Sequence, residues 1–119
     1  MNYFSKANEF YNTQDYSVAL DFYNKAIESN QYEAHSYYNA GVCYIKLKNF
    51  DEAIKMITAA LSYCKESKYF FNLAYCYSMK KDNQKALRFF NLAWALDHND
   101  KDCEKAIKLI GKKLNKTRP

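Results

Sequence analysis

A chain of 119 residues with four cysteines, two glycines and one proline is long enough for one continuous core and leaves no flexible linker or low-complexity segment that would mark a second domain. Its opening residues, Met1-Asn2-Tyr3-Phe4-Ser5-Lys6, lack the basic-then-apolar run of a signal peptide, and no apolar stretch approaches membrane-spanning length, so a cytoplasmic setting without membrane contact is expected. The net charge of +5 is local: residues 101 to 119 carry seven basic residues, among them Lys116 and Arg118, against Asp102 and Glu104, which leaves 18 − 7 = 11 basic and 13 − 2 = 11 acidic residues elsewhere.

In chain order, apolar periodicity predicts an all-α fold of seven helices, near residues 2–12, 16–29, 35–47, 51–64, 69–80, 84–96 and 100–114. Breaks fall at Gln14-Asp15, Lys48-Asn49 and Lys81-Asp82-Asn83. Asp15, Asn49 and Asp82 follow as N-caps, with Glu52 set to complete a capping box after Asn49. The last helix has an apolar stripe of Cys103, Ala106, Ile107, Ile110 and Leu114, and its lysines suit a solvated face and a helix C-terminus.

The helices repeat. Ala19-Tyr23-Ala26, Ala53-Ile57-Ala60 and Ala86-Phe90-Ala93 are one pattern, spaced 53 − 19 = 34 and 86 − 53 = 33 residues apart. Upstream of each lies a second block: Tyr3, Lys6-Ala7 and Phe10; Tyr37, Ala40-Gly41 and Tyr44; Phe70, Leu73-Ala74 and Tyr77. A fixed period of this length marks stacked helical hairpins, in which small residues let backbones approach and aromatics fill the gaps. Two blocks recurring in order at this period resemble the tetratricopeptide repeat. The resemblance implies three hairpins, near residues 1–33, 34–66 and 67–100, a capping helix at about 100–114 and a basic tail at 116–119, with 1–115 a single domain. Gln31, Lys65 and His98 stand where the family has Pro, Lys6 takes an apolar slot, and Gly41 is the one glycine kept in its slot.

Enzyme signals are absent: there is no phosphate loop, nucleophile elbow or paired-His helix, and Asp51 and Glu52 suit a helix N-terminus. The cysteines Cys43, Cys64, Cys76 and Cys103 form no Cys-x-x-Cys pair and are expected as reduced thiols, the first and third in equivalent packing slots. No catalysis, metal or cofactor is expected.

The resemblance further implies that the first helix of each hairpin lines a concave groove that binds a peptide or helix of a partner protein. The matching positions are Phe4, Asn8, Tyr11 and Asn12 from repeat one; His35, Tyr38, Asn39, Val42, Ile45 and Lys46 from repeat two; and Lys68, Phe71, Asn72, Tyr75 and Met79, with Ser78, from repeat three. Tyr38, Phe71 and Tyr75 are read as apolar anchors, Asn8, Asn39 and Asn72 as holders of the ligand backbone, and Lys46 and Lys68 as favouring an acidic ligand. Relatives that clamp the acidic tails of Hsp70 and Hsp90 use Lys and Asn, then Asn, then Lys and Arg. Those slots hold Phe4 and Asn8, Asn39, and Lys68 and Asn72 here, so two cations of the charge-assisted grip are missing. Self-association through the same patch is an alternative partner mode. A nucleic-acid contact through the basic C-terminal helix is the less favoured one.

Overall fold

The computed structural model describes residues 1–116. Its helices are α1 (Tyr3–Asn12), α2 (Tyr16–Glu28), α3 (Glu33–Lys46), α4 (Phe50–Tyr63), α5 (Ser67–Met79), α6 (Asn83–Leu96) and α7 (Lys101–Lys116). Arg118 and the rest of the expected basic tail after Lys116 lie outside the described residues. Two compact units divide the chain, residues 1–64 with α1 to α4 and residues 65 onward with α5 to α7.

In the first unit α1 packs on α2, α2 on α3 and α3 on α4. The alanine phase read from the sequence is the packing phase: Ala7, Ala19, Ala26, Ala40, Ala53 and Ala60 have no solvent exposure. Helices α3 and α4 approach closely at Gly41, where an added Cβ would lie 2.6 Å from Ile57 Cγ1 and 3.4 Å from the Ala53 carbonyl oxygen. Phe10 stacks on Phe22 with centroids 5.5 Å apart, and Tyr37 on Tyr63 at 5.8 Å. Lys6, in its apolar slot, stays at the surface and pairs with Glu9 at 3.2 Å.

In the second unit α6 packs between α5 and α7. Ala74, Ala86 and Ala93 are again fully buried, and Phe89 stacks on both Phe70 and Tyr77. Cys103 and Ile110 bury the stripe of α7, and the Cys103 thiol donates to the Phe90 carbonyl at 3.0 Å. Trp94 sits 5.8 Å from the His98 ring.

Each hairpin turns in the same way. Gln14, Lys48 and Lys81 have φ of 64°, 61° and 63°, a left-handed conformation usually given to glycine. The N–H of the following residue then reaches back to close the helix: Asp15 donates to Phe10, Asn49 to Tyr44 and Asp82 to Tyr77, all at 2.8–2.9 Å. Asp15, Asn49 and Asp82 next cap α2, α4 and α6 by accepting from the backbone N–H three residues on. The capping box does not close at Asn49, because its N–H is taken by Tyr44 and the Glu52 carboxylate pairs with Lys55 at 3.0 Å.

Gln31, in the turn between α2 and α3, is tied to the N-terminal segment. Its Oε1 accepts from the N–H groups of Tyr3 (2.8 Å) and Phe4 (3.3 Å), and its Nε2 donates to the Met1 carbonyl at 2.9 Å. The side chain thereby satisfies N–H groups of the first turn of α1 that have no partner within that helix.

Candidate functional site

Tyr23 organises the face of the first unit formed by α1 and α3. Its ring is fully buried among Ala7, Ala19, Ala40 and Cys43. A buried tyrosine needs a partner for its hydroxyl, and this one donates to Asn8 Oδ1 on α1. The Asn39 carboxamide on α3 also interacts with that hydroxyl. Burial, the largest effect, and the nearby Cys43 thiol raise the phenol pKa far above its ordinary value, so Tyr23 stays a donor throughout the physiological range.

The structure therefore brings Asn8 and Asn39 to one buried hydroxyl. Phe4 is partly covered: Tyr32 stacks on it at 4.7 Å and 30°, with Tyr23 and His35 at centroid distances of 6.0 and 6.3 Å. Tyr32 itself is 59% exposed and has φ of 46°. Tyr11 lies edge-on to Tyr16 at 5.5 Å and packs on the core, where burial raises its pKa. Along α3, Tyr38, Val42 and Ile45 are half-buried, while His35 and Lys46, like Asn12 of α1, are exposed.

On α5 of the second unit, Tyr75 and Met79 are one turn apart and 38% and 48% exposed. Phe71 is half-buried, edge-on to Phe90 at 5.3 Å. Asn72 donates its side-chain N–H to the Lys68 carbonyl at 3.1 Å, and Lys68 lies 3.7 Å from the Glu66 carboxylate.

The sequence reading missed Tyr23, Tyr32 and Gln31 as shapers of this face. Tyr23 carried a usable signal, since its slot holds Ile57 and Phe90 in the other repeats and only Tyr brings a hydroxyl to be satisfied. Nothing local marks Tyr32 for a left-handed backbone.

A family model for the tetratricopeptide repeat matches residues 2–32 and 34–66. The chain belongs to the tetratricopeptide repeat family. The Hsp70-Hsp90 organising protein of Plasmodium falciparum (isolate 3D7) is 30% identical over 87 residues, 73% of this chain. The chain spans only 15% of that relative's length. Among solved structures, YrrB, described as a tetratricopeptide repeat protein with an unusual peptide-binding site, superposes with a TM-score of 0.84 at 27% identity, covering 91% of this chain and 56% of that one. The first tetratricopeptide repeat domain of Spaghetti (RPAP3), bound to the HSP90 peptide SRMEEVD, superposes with a TM-score of 0.90 at 18% identity, covering 95% and 90%. The low identity of that pair makes it a likeness of fold.

Proposed function

We propose that this tetratricopeptide repeat chain is a non-enzymatic interaction module that binds a peptide or helix of a partner protein, with the α5 face of its second unit and, separately, the α1/α3 face of its first as the recognition surfaces. The observation that carries the reading is the pair Tyr75 and Met79, large side chains 38% and 48% exposed one turn apart on α5, beside half-buried Phe71. Large apolar groups clustered at a surface are the usual energetic anchors of recognition. The peptide-binding site of YrrB supports the same reading. A cytoplasmic setting, with the four cysteines as reduced thiols, is part of this proposal. No helix among the described residues is long and apolar enough to cross a membrane.

An acidic HSP90-type tail is not the favoured ligand, because Phe4 and Asn72 stand at clamp slots where cations would grip carboxylates. Peptides recovered from a random display library on the immobilised chain should bind more tightly than SRMEEVD. Tyr38→Ala, Tyr75→Ala and Met79→Ala should each weaken them by about 1–2 kcal/mol with little change in melting temperature. Wild-type affinity in all three variants would place recognition elsewhere, and a large loss of stability would return these side chains to the core. Light scattering across concentration separates partner binding from self-association.

A further inference from the structure

The two asparagines expected to hold a ligand's backbone in the first and third repeats are in different states. Asn72 turns its side-chain N–H to the Lys68 carbonyl of its own helix. Asn8 has its oxygen engaged by the hydroxyl of Tyr23. The equivalent slot holds Tyr23 in the first repeat and Phe90, which has no hydroxyl, in the third.

We infer that Tyr23 is the positioning residue of the α1/α3 face: by donating to Asn8 Oδ1 it fixes the orientation of that carboxamide, so that Asn8 turns its two N–H donors to a ligand, and the group they take is a neutral backbone carbonyl of an extended peptide. This rests on the peptide-binding reading given above. A carboxamide carries its acceptor oxygen and its donor nitrogen on opposite arms, so holding the oxygen at Tyr23 turns the two N–H donors away from that hydroxyl. The neutrality of the ligand group follows from its surroundings. A carboxylate is held well where a cation assists, yet one turn either side of Asn8 stand Phe4 and Asn12, and one turn either side of Asn39 stand His35 and Cys43. Lys6, the cation of α1, is paired with Glu9 and lies over the Phe10 ring. The Phe4 and Tyr32 rings stacked beside Asn8 suit an uncharged, extended backbone better than a terminal anion.

The test has two arms. In the free protein, Tyr23→Phe keeps the ring and removes the hydroxyl; the side-chain amide resonances of Asn8 should shift while melting and circular dichroism stay near wild type. Unchanged Asn8 resonances overturn the positioning role. In the second arm, a display-selected peptide is remade with single backbone esters, whose carbonyls are weaker acceptors. One ester position should weaken wild-type binding about three- to tenfold, the range of a single hydrogen bond. That penalty should shrink in Tyr23→Phe and vanish in Asn8→Asp, which can still accept from Tyr23 but has no N–H to give. A penalty that persists in Asn8→Asp overturns the carbonyl assignment. So does a peptide whose C-terminal amide loses all affinity for wild type while the free acid keeps it. If no peptide binds the wild-type chain, the binding reading and the carbonyl assignment fall together, whereas the resonance shift still decides whether Tyr23 fixes Asn8.

Discussion

Gln31 shows how one side chain replaces a family feature by different chemistry. Where proline would stiffen the turn between hairpins, Gln31 makes three hydrogen bonds to the N-terminal segment, each 27 to 30 residues away in sequence. Gln31→Ala leaves two N–H groups of α1 to water, and it should cost roughly 1–2 kcal/mol, on the scale of a lost helix cap. A urea midpoint equal to wild type would show these bonds to be replaceable by solvent. At Gly41 the limit is steric. A Cβ there already falls 2.6 Å from Ile57 Cγ1, and Ile57 is fully buried and cannot swing out. Gly41→Leu should therefore lose at least about 1–3 kcal/mol through overpacking, despite the better helix propensity of leucine. Retained thermal stability would mean that α3 and α4 separate easily at this point.

Among the elements, the three hairpin turns share one uncommon choice. Each holds a residue other than glycine in the left-handed region, Gln14, Lys48 or Lys81, in a motif that closes the preceding helix. An L-residue in that region carries a penalty of about 1–2 kcal/mol that glycine avoids, offset in part by the greater freedom glycine has when unfolded. Lys48→Gly should consequently stabilise the fold by up to about 1 kcal/mol, read as a higher urea midpoint, whereas Lys48→Val should destabilise it. A midpoint lowered by Lys48→Gly would show that the lysine side chain contributes more than its backbone costs. The caps that follow were legible because their chemistry is local: Asp15, Asn49 and Asp82 reach only three residues ahead. Glu52 was misjudged because its carboxylate had two local claimants, and the sequence does not say that Tyr44 has already satisfied the Asn49 N–H.

For the molecule as a whole, thiols buried in both units couple stability to alkaline pH. Burial pushes Cys43 and Cys76 up to about 12 and Cys103 to about 11, from an ordinary value of 9.0. Between those limits the folded chain holds protons that the unfolded chain releases. Stability is then intact well below pH 9 and falls as the pH rises through 9 towards 12, with a limiting slope of about 1.4 kcal/mol per pH unit for each thiol. Urea midpoints at pH 8, 9 and 10 should decline in that order; a constant midpoint contradicts the burial of these thiols. Under native conditions at pH 8, iodoacetamide should modify half-buried Cys64 first and the other three only after unfolding. The helices and their alanine phase could be read from the sequence because close helix packing imposes a short, repeated demand on residue size. The proposed binding face was harder to read. Register placed Phe4, Asn8 and Tyr11 on it, but Tyr32 partly covers Phe4, Tyr23 engages Asn8 and Tyr16 packs on Tyr11. Two of those contacts join residues more than ten positions apart and depend on tertiary geometry that no local pattern encodes.

Trp94 is the only tryptophan of the chain and lies on α6, whereas the first unit has tyrosines and phenylalanines alone. Fluorescence excited at 295 nm therefore reports selectively on the second unit, where the Trp94 ring lies 5.8 Å from the His98 ring. Helical circular dichroism samples every hairpin at once. The chain thus carries its own optical separation: coincident emission and dichroism curves during unfolding would mark one cooperative transition, and a lag between them would assign an order of melting without any added label.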